Sequence, residues 1–243
     1  MKVAADTLLA MIVQVYTARG VAEARAMADL GVDHIGVTIS ARGLPGEVDD
    51  LEGKAILAAL KESSSKSVAL TVDTDLGDIQ AFAKQAHPDI LHLCGDIDLV
   101  GPDQVSQLAE WLDGEGLAIE LMQAIPVIGP ESVDLAVRFT PHVDWLILDS
   151  LTDQVEGIGA AGVTHDWTLS RRIVAEVDTP VILAGGLGPD NVAEAIAAVG
   201  PAGVDSLTRT NRSNPDGTFV KDLDAVSRFV AEARRPGRGS SSS

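Results

Sequence analysis

Short apolar, β-branched runs alternate with longer amphipathic stretches along the whole chain, and this alternation restricts the fold more than any other feature. The runs are Met11–Tyr16, His34–Ile39, Ser67–Asp73, Ile90–Cys94, Leu117–Gln123, Trp145–Asp149, Pro180–Ala184 and Gly203–Leu207. Between them, Val21–Leu30, Gly53–Lys61, Asp75–Ala86, Pro102–Leu112, Ser132–Phe139, Thr168–Glu176 and Asn191–Ala198 carry apolar residues at helical spacing behind polar or acidic starts. Strands alternating with helices argue for parallel βαβ units. Eight such strands in 243 residues predict a single (β/α)8 TIM barrel with eight parallel strands, a fold of about 250 residues. A dinucleotide-binding open sheet would carry G-x-G-x-x-G after its first strand. Here that position reads Thr17-Ala18-Arg19-Gly20. The barrel is expected over 1–233, with 1–10 as a short N-terminal extension. The low-complexity stretch Arg234–Ser243 is expected to be a disordered tail.

Composition narrows the partners. With 36 acidic against 18 basic residues the formal charge is −18, which argues against nucleic acid, because phosphate backbones need positive charge. The 46% hydrophobic content suffices for a core, and aromatic residues at 3% leave its packing to Ala, Val, Leu and Ile. The apolar run Leu8–Val13 is too short to span a membrane. Cys94 is the single cysteine, so no internal disulfide framework exists, and a cytoplasmic setting is expected. Oligomeric state is not legible.

In such a barrel, chemistry gathers where the strands end. Val181–Ile196 (VILAGGLGPDNVAEAI) reads as strand, Gly185-Gly186 turn and helix start, an arrangement that can wrap backbone N–H groups around a phosphate or simply supply a tight turn. Asp149 terminates the apolar WLILDS; it is a proton-transfer candidate or, alternatively, a turn carboxylate. Cys94 reads first as a small buried hydrophobe and second as a thiol acid/base, with His92 on the same strand face. Thr208, Arg209 and Arg212 follow the last strand, where a phosphate shared with the Gly185-Gly186 turn is expected. Gly157, Gly159 and Gly162 could form a lid, with Glu156, Thr164 and His165 as further polar candidates. Asp205 is either a buried anchor or a ligand contact. Gln14 and Tyr16, Ser40 and Arg42, Asp73 and Asp75, Glu120 and Gln123 complete the set at the expected strand ends. No His or Cys spacing suits a metal.

LILDS (Leu146–Ser150), a glycine-rich loop ending Thr164–Trp167, VILAGGLGPDNVAEAI and Gly203–Asp205, in that order, resemble the phosphoribosylanthranilate isomerase family. LHLCGD and Ala22–Ser40 extend the likeness more faintly. The resemblance implies a (β/α)8 barrel of tryptophan biosynthesis. It also implies a cofactor-free Amadori rearrangement of N-(5-phosphoribosyl)anthranilate, a small phosphorylated metabolite, to its 1-deoxyribulose isomer. It makes Asp149 the general acid, makes Gly185 and Gly186 the phosphate turn, and places Arg42 near the family's arginine for the anthranilate carboxylate.

Four departures stand out. If Thr17 matches the family's threonine, Gln14 occupies the position of the general-base cysteine, and an amide takes no proton usefully near neutrality. Cys94 stands where the family has histidine. Leu207-Thr208-Arg209 replaces a serine-serine-glycine phosphate turn, and Gly159-Ala160-Ala161-Gly162 replaces a glycine-glycine-threonine-glycine lid. The leading expectation is an isomerase of this type, with Asp149 as acid, Cys94 as a relocated base, and Gly185, Gly186, Asp205, Thr208, Arg209 and Arg42 holding the substrate. The alternative is a paralogue that binds an anionic metabolite without turnover. A Schiff-base lyase would need a strand lysine, for which Lys66 at a strand boundary is the one option.

Overall fold

The computed structural model describes residues 11–150, 166–215 and 217–235. Its eight parallel strands close into a barrel in chain order: β1 (Ile12–Val15), β2 (His34–Thr38), β3 (Lys66–Thr71), β4 (Ile90–Leu93), β5 (Glu120–Pro126), β6 (Trp145–Asp149), β7 (Val181–Leu183) and β8 (Gly203–Ser206). β8 returns to β1 with Gln14 opposite Asp205 and Val15 opposite Ser206, which closes the cylinder. Around it run α1 (Val21–Asp29), α2 (Asp50–Leu60), α3 (Leu76–Ala86), α4 (Pro102–Glu115), α5 (Glu131–Phe139), α6 (Trp167–Glu176), α7 (Val192–Val199) and α8 (Leu223–Ala233).

Strand alternation sorts each residue to one of two cores. Val13, Val15, Ile35, Val37, Leu91, Leu146, Leu148 and Val204 face outward and pack under the helices. Val68, Ile90, Met122, Ile147 and Ile182 fill the barrel interior. Gly36 is glycine because the Tyr16 ring lies across it; a Cβ there would sit 2.2 Å from the ring. The helices begin where sequence chemistry starts them. Asp49, Asp75, Asp166 and Asp222 each accept a backbone N–H in the first turn, satisfying donors that a helix start leaves free.

The expected strands hold to within a residue or two except the fifth. Leu117–Gln123 slides to Glu120–Pro126, because Leu117 and Gly116 are spent on closing α4. Glu120 therefore lies at the bottom of the barrel, not at its mouth. There it pairs with Lys66 at 2.5 Å and accepts the Trp145 indole N–H at 2.7 Å. Lys66 is thus a strand residue, but at the end opposite the mouth.

Two elements were absent from the sequence expectation. A hairpin of β9 (Asn211–Ser213) and β10 (Phe219–Lys221) follows β8. α8 then buries Ala225, Val226, Phe229, Val230 and Ala233. Arg234, assigned to the tail, binds Asp33 at 2.7 Å and the Gly31 carbonyl at 2.8 Å, so the ordered barrel reaches past 233. Among the described residues no helix is long and apolar enough to cross a membrane.

Candidate active site

At the mouth a hollow of about 270 Å³ is lined by Asp149, Gly185, Gly186, Leu187, Asp205, Leu207 and Thr208. Asp149 is the last residue of β6, on the face of Ile147 and Trp145, so alternation points it inward. Its Oδ1 accepts the Ser150 N–H at 2.6 Å. Burial pushes its pKa up to about 7, with the Ser150 N–H offsetting part of the rise. Asp205 reaches the same hollow from β8. Burial raises it to about 8, the Asp149 charge adds to this, and the Gln14 amide, the Lys221 ammonium and the Ser206 N–H oppose it. Asp205 Oδ1 and Gln14 Nε2 are buried without a hydrogen bond of normal geometry.

Behind the carboxyls, three side chains form a line. The Tyr16 hydroxyl lies 2.8 Å from His92 Nδ1, and His92 Nε2 lies 3.1 Å from Cys94 Sγ. Burial lowers the His92 pKa to about 3, so the ring is neutral. Its single N–H can serve one neighbour while the other donates to it. Burial, then Asp149, then Asp205 push the Cys94 thiol well up, and burial above all does the same to the Tyr16 phenol. Gln14, fully buried on β1, faces inward, and its carbonyl oxygen lies 3.3 Å from His34 Nδ1.

The Gly185-Gly186 turn has φ of +83° and +64°, a left-handed path that favours glycine at both positions. Asn191 braces it by accepting the Gly188 N–H at 2.8 Å and donating to the Gly186 carbonyl at 3.1 Å. Thr208 and Arg209 are exposed beside this turn. The Arg209 stem lies on Gly188, where an added Cβ would meet it at 2.6 Å.

The structure therefore brings Asp149, Asp205, Gly185, Gly186 and Thr208 to one hollow, with Arg209 at its edge and Cys94 and Gln14 just beneath. Arg42 lies apart, over the ends of β2 and β3, paired with Asp73 above a second hollow of about 540 Å³ that includes Leu44, Leu70, Val72 and Phe82. Arg212 is an exposed residue of β9. Glu156, Gly157, Gly159, Gly162, Thr164 and His165 fall outside the described residues. Lys221 was missed by sequence reasoning. It is buried, binds the Tyr16 carbonyl and lies 2.6 Å from Asn211 Oδ1. A lysine inside the apolar run Phe219–Lys221 of so acidic a chain was its one sequence signal.

Residues 15–230 match the family model described as N-(5'phosphoribosyl)anthranilate (PRA) isomerase. The chain belongs to the phosphoribosylanthranilate isomerase family. N-(5'-phosphoribosyl)anthranilate isomerase 2 of Methanosarcina mazei is 31% identical over 92% of this chain and 94% of its own length. The Haloferax volcanii isomerase is 35% identical over 78% of this chain and 77% of its own. Among solved structures, the Pyrococcus furiosus isomerase superposes with a TM-score of 0.71 at 19% identity, covering 93% of this chain and all of that one. A family structure holding reduced 1-(o-carboxyphenylamino)-1-deoxyribulose 5-phosphate gives 0.70 at 20% identity over 92% of this chain and 98% of that one. At that level of identity the solved members share the barrel, while the curated relatives carry the family assignment.

Proposed function

We propose that this member of the family isomerises phosphoribosylanthranilate to the 1-deoxyribulose isomer in tryptophan biosynthesis. The observation that carries the reading is the placement of a half-buried, protonatable Asp149 in one hollow with the Gly185-Gly186 turn, in a chain of this family. An aldose-to-ketose shift first needs a proton on the ring oxygen, and a carboxyl held near neutral pKa is suited to give it. Asp149 is that acid.

The substrate phosphate sits on the Gly185-Gly186 turn and Thr208, with the Arg209 guanidinium supplying the charge that the acidic chain otherwise lacks. The anthranilate ring lies toward Leu44 and Val72, and Arg42 turns from Asp73 to the ring carboxylate. Asp205, a carboxyl inside the barrel, would repel a phosphate, so the substrate-holding role does not suit it. Cys94 would have to act as thiolate, and its raised pKa leaves it a thiol at neutral pH, so the relocated-base role does not suit it.

The test is turnover. Purified protein mixed with phosphoribosylanthranilate consumes the fluorescence of the aminobenzoate conjugate. A folded sample that binds the reduced deoxyribulose phosphate without any turnover overturns the reading and leaves a non-catalytic binder.

A further inference from the structure

Gln14 stands where the family resemblance places the proton acceptor, and its amide cannot take a proton. The reaction still requires one: after the ring opens, the proton on the sugar C2 must leave. The hollow holds a second group able to accept it. Asp205 lies opposite Gln14 in the β8–β1 register, so its side chain leaves the strand on the same side, next door to the vacated position. It is buried, it lines the hollow with Asp149, and among the described residues its Oδ1 makes no hydrogen bond of normal geometry, the neighbouring Gln14 amide included. Buried carboxylate oxygens are ordinarily satisfied. A carboxyl that lines a ligand hollow without its full set of hydrogen bonds is placed to act on what enters.

We infer that Asp205 is the general base of this chain, and that Gln14 has changed from acceptor to positioning residue whose amide supports the Asp205 carboxylate. The inference rests on the isomerase reading above. The proton balance closes within the pair. With pKa values of about 7 and about 8 the shared proton rests mostly on Asp205, and the reactive arrangement is the minor one that has it on Asp149; from there Asp149 gives the proton to the ring oxygen as the C1–O bond breaks, leaving a C1=N iminium. Asp205, ionised, takes the proton from C2. The C2–H electron pair becomes the C1=C2 bond, and the C=N pair returns to nitrogen. The resulting enolamine loses its O2 proton and gains one at C1 to become the ketone. One proton has passed from substrate to Asp205 and one from Asp149 to substrate. A single proton between two close carboxyls is the state their mutual repulsion favours. The other titratable groups facing Asp205 are Lys221, which favours its ionised form, and the Cys94 thiol and Tyr16 phenol, which remain neutral.

Two variants test this, with the reduced deoxyribulose phosphate as the binding probe. Asp205→Asn should lower kcat by about 10²–10⁴-fold, the usual worth of one acid/base group, while probe affinity changes little. Gln14→Met should move the acid limb of kcat/KM to higher pH, because the carboxylate loses a neighbour that holds it ionised. Should Asp205→Asn fail to fold, Asp205→Glu carries the test: the carboxylate shifts by one methylene, so kcat falls while probe affinity holds. Retained kcat in a folded Asp205 variant, or probe binding lost in step with rate, overturns the assignment, as does an unmoved acid limb in Gln14→Met. Absence of turnover in the unaltered chain would instead remove the isomerase reading itself, which separates the two failures.

Discussion

The two ends of the barrel interior treat buried charge in opposite ways. At the bottom, Glu120 is answered by Lys66 and Trp145. Its carboxyl feels a burial penalty, but the hydrogen bonds from Lys66 and Trp145 outweigh it and leave its pKa lowered. The nearby His34 is driven down to about 4, by burial first and then by the Lys66 charge. At the mouth, Asp149 and Asp205 share a hollow and form no ion pair among the described residues, and both pKa values rise. The first arrangement is a settled one: opposite charges, half-exposed, each with a partner. The second gathers two carboxyls whose ionised forms burial disfavours, at the mouth where the proposed substrate would enter. Perturbed carboxyls in a cleft mark function and paired ones mark structure, and this one molecule contains both.

Breaking the mouth should cost rate. Asp149→Asn is expected to give the largest effect, a loss of about 10²–10⁴-fold in kcat with substrate affinity retained, read by steady-state kinetics. Arg209→Ala should act on the anion instead, raising KM about 10- to 100-fold at similar kcat, the worth of one charge-assisted hydrogen bond.

Stability should separate the ends more sharply. Asp205 has a folded pKa near 8 against an ordinary 3.8, so the folded state holds its proton more tightly than the unfolded chain. Stability from this group is therefore complete at low pH and declines as pH rises through that window. Asp205→Asn should raise Tm relative to the parent at about pH 8, and the gain should shrink steadily and vanish toward about pH 4. Glu120→Gln should do the reverse on a smaller scale. It lowers stability by about 1 kcal/mol in denaturant titrations, since the pair is partly solvated, and leaves the pH–rate profile alone. Cys94→Ser should have the smallest effect on rate, well below that of Asp149→Asn. A loss as large as that of Asp149→Asn would return the base role to the thiol.

Much of this was legible beforehand. Asp149, Gly185 and Gly186 were legible as strand-end candidates, a charge and a glycine pair directly after apolar runs, and the structure sets all three around one hollow. β5 was misplaced because its apolar stretch merges with the end of α4, and propensity alone does not mark the seam. α8 went unlisted although its apolar spacing was present. The Tyr16–His92–Cys94 line was not visible, since it joins side chains 76 positions apart.

The alternation of eight apolar runs with amphipathic stretches predicted parallel βαβ units, and eight of them in a chain of this length, with no G-x-G-x-x-G after the first, favoured a closed barrel over an open sheet. The family resemblance, if Thr17 matches the family's threonine, puts Gln14 at the general-base position. The neighbour we infer to act in its place comes from closure of the cylinder. That closure sets β8 beside β1, brings Asp205 next to Gln14 across nearly two hundred residues of chain, and buries its carboxyl with that of Asp149 in one hollow. Proximity between distant carboxyls, and the low-dielectric surroundings that shift their protons, belong to the folded shape and have no trace in local sequence.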